Sequence, residues 1–185
     1  MKQPAIVLSF LVLTLTGCGQ PSLNSSPLLS LQTTRASTFA VPSTKAEFVK
    51  AVATLGLKLT DAQLATISAN RTAKPSGLMA PRPAANLTSE QNLQVHFKKH
   101  RGEFRPSFAT AEEYLAQAVA LAEGKRGQVE YYFDITSFKK GYQSNVVLWN
   151  SSTKELTAMR PDGATTTFYH DPSLNPNRFV VVPIF

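Results

Sequence analysis

Between Val129 and Val182 the chain passes through five short stretches rich in β-branched and aromatic residues: 129–133, 145–149, 155–159, 165–169 and 179–182. Asn150–Lys154 and Pro161-Asp162-Gly163 stand between successive stretches with the composition of hairpin turns. Connections this short leave no room for a helical crossover, so the stretches predict an antiparallel meander. Two helix signals precede it. Thr88 and Ser89 are candidate N-caps for a helix through about residue 102, with Leu93, Phe97 and Phe104 as its apolar stripe. Thr110-Ala111-Glu112-Glu113 has the form of a capping box and opens a helix with Tyr114, Leu115, Ala118, Leu121 and Ala122 inward and Gly124 as its stop. Two helices followed by a four- to five-stranded antiparallel sheet predict an α+β domain over 88–185, about 95 residues and large enough to fold alone.

Upstream, Thr44-Lys45-Ala46-Glu47 and Thr60-Asp61-Ala62-Gln63 each begin a short helix. Phe48, Ala51, Val52 and Leu55 share one face of the first, Leu64 and Ile67 one face of the second, and Gly56 lies between them. Residues 44–70 therefore read as a helical hairpin. A DNA-binding helix-turn-helix has the same outline, but basic residues are few here, Lys50 and Lys58 among them, so a small packing module is the preferred reading. Residues 71–87 return to Pro, Gly and Ala and read as a linker. Residues 18–43 are rich in Ser, Thr and Pro without helical or alternating period, and read as a flexible tether.

The first residues give an address. Lys2 supplies a positive start, and Ala5 to Leu15 is apolar apart from Ser9 and Thr14, which suits a signal-peptide core and is too short to span a membrane. The Leu15-Thr16-Gly17-Cys18 tetrad that follows resembles the lipobox of bacterial lipoproteins. The resemblance implies removal of residues 1–17, a thioether-linked lipid on Cys18 and an acylated new N-terminus. More than one acyl chain, at ~0.8 kcal/mol per buried CH₂, makes such anchoring stable. Gly19 after the lipidated Cys favours the outer membrane or cell surface of the bacterial envelope. Cys18 is the chain's one cysteine, which excludes an internal disulfide framework and a cysteine-based zinc cluster.

The formal net charge of +7 favours anionic partners. All three histidines, His96, His100 and His170, fall in the 88–185 region. His96, Lys99, His100 and Glu103 recur at i, i+3, i+4 and i+7, so one helical face presents two imidazoles, an ammonium and a carboxylate. Lys98, Lys99, Arg101 and Arg105 form the densest basic cluster in the chain. Such a face suits a phosphodiester, with groups that titrate near neutrality to move protons and cations to offset charge on phosphorus. A metal site would need a third ligand near the histidine pair and the sequence offers none, so neither metal nor cofactor is expected. Tyr131, Tyr132, Phe133 and Trp149 sit in strand patterns and read as core or sheet surface. A serine nucleophile elbow and a phosphate-binding glycine loop are absent.

His96-Phe97-Lys98-Lys99-His100-Arg101-Gly102-Glu103-Phe104, then Thr110-Ala111-Glu112-Glu113-Tyr114-Leu115 with Ala118, resembles a family of small toxin and phage nuclease domains of the barnase–EndoU–colicin–RelE superfamily. Asp162-Gly163-Ala164-Thr165-Thr166-Thr167-Phe168-Tyr169-His170-Asp171-Pro172 fits that family's closing motif. The match covers about residues 90–182. It implies a metal-independent α+β ribonuclease in which His100 is the principal acid/base, Lys99 contacts the scissile phosphate, His96 supplies the complementary proton transfer, and Thr167 hydrogen-bonds a phosphate oxygen. Lys98, Arg101, Tyr169 and Arg178 would bind substrate. The implied reaction is attack of a ribose 2′-OH on the adjacent phosphate, which makes RNA the substrate and excludes DNA; a small acidic immunity-type protein would be a partner. The rival reading is a non-catalytic surface lipoprotein that uses the same scaffold to bind a protein or polyanion.

Overall fold

The computed structural model describes residues 41–185. Residues 1–17, read as a signal peptide, Cys18, and all but 41–43 of the 18–43 stretch read as a tether lie outside the described residues. The fold is α+β. Helices α1 (Lys45–Thr54), α2 (Asp61–Thr72), α3 (Ser89–His100) and α4 (Ala111–Ala122) precede strand β1 (Glu130–Asp134). Helix α5 (Ile135–Lys139) then leads to β2 (Val146–Asn150), β3 (Glu155–Met159), β4 (Thr165–His170) and β5 (Phe179–Val181).

Each of the first four helices starts where a threonine hydroxyl accepts a backbone N–H three residues on: Thr44, Thr60, Thr88 and Thr110. In α4 the reciprocal bond shifts by one residue, because the Glu113 carboxylate accepts from Ala109 N at 2.8 Å. Such caps satisfy amides that have no partner inside the helix, each contributing about 1 kcal/mol. Helix α5 has no counterpart in the sequence reading. Asp134 caps it, accepting from Thr136 N and Ser137 N.

The five antiparallel strands lie in the order β4-β3-β2-β1-β5, so the meander runs from β1 to β4 and β5 returns to pair with β1. One sheet face carries the helices. Phe48, Val52, Leu64 and Ile67 from α1 and α2 pack on Phe133, Val146, Val180 and Val182. Leu93, Tyr114, Ala118 and Leu121 from α3 and α4 pack around Phe168. On the other face Val147, Leu156, Ala158 and Phe179 are buried, with Tyr132, Trp149 and Tyr169 packed against them. The 171–178 connection joins β4 and β5 at opposite edges of the sheet and crosses this face, with Leu174 set among those aromatics.

This packing corrects three boundaries. The 44–70 hairpin is not a separate module: its apolar face is completed by the sheet, and Asn70 Nδ2 donates to Gln143 O and Asn145 Oδ1 at 2.6 and 3.0 Å. The described residues all belong to one compact unit. At the end of the tether, Pro42 is buried and Ser43 N and Oγ both donate to Glu47. Residues 71–87 are not a free linker either, since Met79 forms a parallel bridge to Thr165 on the outer side of β4. Thr165 N donates to Leu78 O at 2.8 Å, Ala80 N to Thr165 O at 2.7 Å, and Ser76 N to Gly163 O at 3.0 Å.

The close approach at Gly163 is a direct test of that seat. Its φ is +81°, and a Cβ there would stand 2.0 Å from Lys74 O. Gly163→Ala is expected to cost at least about 2 kcal/mol, from left-handed backbone strain and displacement of the 74–80 segment. Chemical denaturation measures it, and an unchanged midpoint would mean the segment is not held against the turn.

Candidate functional site

Helix α3 ends beside the outer edge of the sheet. Its Thr88/Gln91 capping box fixes the start, and after His100 residues 101–103 tighten into a 3₁₀ turn. Leu93 is buried, with Phe97 half-buried beside it against the α4 side, which turns His96 and His100 along a neighbouring stripe one helical turn apart. The two imidazoles stack with ring centroids 5.9 Å apart and planes 21° apart. His100 stacks in turn on Tyr169 of β4, at 5.6 Å and 29°. The result is a three-ring column joining helix to edge strand, with His100 in the middle and only 7% exposed.

The polar contacts of His100 are directional. Nδ1 lies 2.7 Å from Glu103 Oε1, and Glu103 Oε2 accepts from His170 N at 3.1 Å. The other ring nitrogen, Nε2, has no hydrogen-bond partner among the described residues. Glu103 is the residue whose part in the site went unassigned in the sequence. Its i+3 spacing from His100 was visible, but the spacing could not show that the carboxylate spans from helix to strand.

His96 is in a different state. Burial, reinforced by the positive surroundings of His100, Lys99 and Arg82, holds it down to about 4, against the 6.5 of a free histidine. Its Nδ1 is buried without a hydrogen-bond partner among the described residues. The neutral form of the His96 ring is thus the favoured one. The sign for stability follows: between those two values the unfolded chain binds the proton and the folded one does not. Stability is complete above 6.5 and falls as the pH drops toward 4. His96→Asn is expected to flatten that slope in denaturation midpoints measured across the window; equal slopes would place its origin elsewhere.

The cations divide into free and engaged. Lys98, Lys99 and Arg101 are exposed and take part in no salt bridge among the described residues, Arg101 lying over the Phe97 ring at 5.2 Å. Arg105 is turned back on the chain, with Nη1 donating to Gly102 O and Phe104 O. Arg178, read from the sequence as a substrate contact, is occupied: Nε and Nη2 donate to Asp134 at 2.9 and 2.6 Å, and the guanidinium lies over the Phe179 ring. Burial works to raise the Asp134 carboxyl, but bonds from Arg178 and Ser137 outweigh it and hold it below its ordinary value. This pair ties β1 to the start of β5.

Thr167 sits two residues before Tyr169, on the same face of β4. Its carbonyl accepts from Thr157 Oγ1 at 3.0 Å, and no hydrogen bond joins it to the His100 ring. Burial pushes the Tyr169 phenol up to about 12; Arg178 pulls the other way, while Asp171, Asp134 and Glu103 push with it. It remains a protonated, neutral wall against His100. The structure thus brings together His96, His100, Tyr169 and Glu103, with Lys98, Lys99 and Arg101 around them, and leaves Thr167 and Arg178 outside the column. A groove of about 650 Å³ between α3 and α4, lined by Leu93, Leu115 and Val119 with Glu90, Glu112 and Glu123, has none of the column among its lining residues. Compared with known proteins, the chain matches no protein-family model, no curated protein and no solved structure.

Proposed function

We propose that this chain is a bacterial lipoprotein, anchored in the cell envelope through Cys18, whose 88–185 region is a metal-independent endoribonuclease of the toxin type. The observation that carries the reading is the Glu103–His100 dyad, which among the described residues leaves one imidazole nitrogen without a hydrogen bond beside three cations that form no salt bridge. A histidine held by a carboxylate through one nitrogen is a general base at the other. His100 Nε2 takes the proton of a ribose 2′-OH, the 2′-oxygen attacks the adjacent phosphorus as the P–O5′ bond breaks, and the 5′-oxygen leaves with a proton drawn from solvent water, to which the His100 imidazolium then returns its own. The products are a 2′,3′-cyclic phosphate and a 5′-OH end. Lys99 offsets the charge that builds on the phosphate oxygens, and Lys98 and Arg101 hold neighbouring phosphates. Thr167 reaches the phosphate from the strand side once the polymer lies along the edge.

The site is an exposed ridge of cations on a ring column, not a closed pocket, and this geometry suits an extended polyanion over a small molecule. Lack of a 2′-OH removes DNA as substrate. An acidic immunity-type protein is the partner that such a cationic ridge would accept. The test uses the soluble chain from Gln20 onward with total RNA and a single-stranded oligoribonucleotide in EDTA. Cleavage that leaves cyclic phosphate ends is the expected result. No cleavage at micromolar protein would overturn the reading in favour of a scaffold that binds a protein or polyanion without turnover.

A further inference from the structure

We infer that Glu103 is the positioning residue of this site, fixing which nitrogen of His100 is free and docking the helix end onto the edge strand. The inference rests on the ribonuclease reading for its consequence in catalysis, but its geometric content stands on contacts alone. An ionised carboxylate accepts hydrogen bonds and donates none. With Glu103 Oε1 at 2.7 Å, His100 Nδ1 carries the hydrogen whether the ring is neutral or charged, and the neutral ring has its lone pair on Nε2. The second oxygen takes the His170 N–H, a donor on the outer side of β4 that no neighbouring strand reaches. His170 follows Tyr169, whose ring is the strand-side wall of the column. One side chain therefore sets the tautomer, the rotation of the imidazole and its distance from that wall.

The isosteric amide separates this role from a bland one. Glutamine has one accepting oxygen and one donating nitrogen, whereas both Glu103 contacts require an acceptor. If the oxygen faces His100, the amide nitrogen meets the His170 N–H, donor against donor. If the amide turns over, its nitrogen donates to His100 Nδ1 and forces the hydrogen onto Nε2. Glu103→Gln therefore cannot satisfy both contacts while keeping Nε2 free. Its side chain is 38% exposed, so the exchange leaves the core untouched.

The experiment is a ¹⁵N–¹H spectrum of the full chain labelled at histidine, recorded on the alkaline side of imidazole titration, for wild type and Glu103→Gln. The expected wild-type signature for His100 is a single tautomer with hydrogen on Nδ1; in the variant the Nε2-protonated form appears. A wild-type ring protonated on Nε2, or a variant with the wild-type tautomer, overturns the inference. The second arm is steady-state cleavage of the oligoribonucleotide. By analogy with a base held in the wrong tautomer, kcat falls by roughly 10²-fold or more with KM nearly unchanged. An unchanged kcat in a variant with altered tautomer overturns the positioning role. A wild type that shows the single tautomer but cuts no RNA supports the geometric lock and removes the ribonuclease reading, so the two failures are distinguishable.

Discussion

His100→Gln is expected to lower EDTA-resistant RNA cleavage by about 10²–10⁴-fold, the range by which a positioned general acid or base accelerates a proton transfer. Glutamine is preferred to alanine for a structural reason. The ring is 7% exposed and packed between His96 and Tyr169, so its removal leaves a gap and costs about 2 kcal/mol, on the scale of other buried truncations. Glutamine fills much of that space, but its amide cannot act as a general base. Initial rates on an oligoribonucleotide, beside the melting curve of each variant, separate lost chemistry from lost fold. Thr167→Ala belongs in the same series, since the proposed reading gives its hydroxyl a phosphate contact and the structure gives it no hydrogen bond to His100. Equal rates in wild type and His100→Gln would remove His100 from the reaction.

The parts of this fold that were legible in the sequence are those written in local chemistry. Thr44, Thr60, Thr88 and Thr110 each stand three residues before the Glu or Gln whose amide they cap, so four helix starts are visible without tertiary knowledge. Gly163 marks the β3–β4 turn for the same reason, because φ of +81° favours glycine. What could not be read is what backbone groups or distant side chains decide. Nothing in residues 76–80 signals that their amides and carbonyls will pair with β4, since any sequence without an interfering proline at Thr165 or Ala80 can do it. Helix α5 is five residues long and depends on Asp134, which looks like a strand end until Arg178 arrives from 44 residues away. The same pair shows why the engagement of Arg178 could not be read from sequence: its carboxylate partner stands 44 residues away.

The candidate site repeats that division. The i, i+4 pairing of His96 and His100 was visible in sequence, and so was the carboxylate at Glu103, because a helix face is a local object. Their different states were not. His96 and His100 sit on one stripe of one helix, yet one is held neutral by burial beside Lys99 and Arg82 while the other meets Glu103. That difference lies in what each ring meets in the folded chain, which spacing along one helix cannot show.

The largest effect on the fold is expected from removing a single oxygen atom, in Tyr114→Phe. Strand β4 is an edge strand, and an edge strand with unpaired amides and carbonyls invites association with another chain. Here its outer side is closed piece by piece: residues 78–80 pair with Thr165, Glu103 takes the His170 N–H, and the Tyr114 hydroxyl covers the stretch between. That hydroxyl donates to Phe168 O and accepts from Phe168 N at 3.2 Å, doing for one residue what a neighbouring strand would do. Tyr114 and Phe168 are both 0% exposed, so water cannot replace the lost oxygen. A buried polar group left without a partner costs roughly 1–3 kcal/mol, and here a donor and an acceptor lose theirs together. Tyr114→Phe is accordingly expected to lose about 2–4 kcal/mol in urea denaturation followed by the fluorescence of Trp149, the chain's one tryptophan. Hydrogen exchange at the Phe168 amide gives the local reading: protection is expected to fall there first, ahead of the β1–β2 pairing at the middle of the sheet. A variant within about 0.5 kcal/mol of wild type, the scatter of an ordinary surface substitution, would show that the hydroxyl is not what closes this edge.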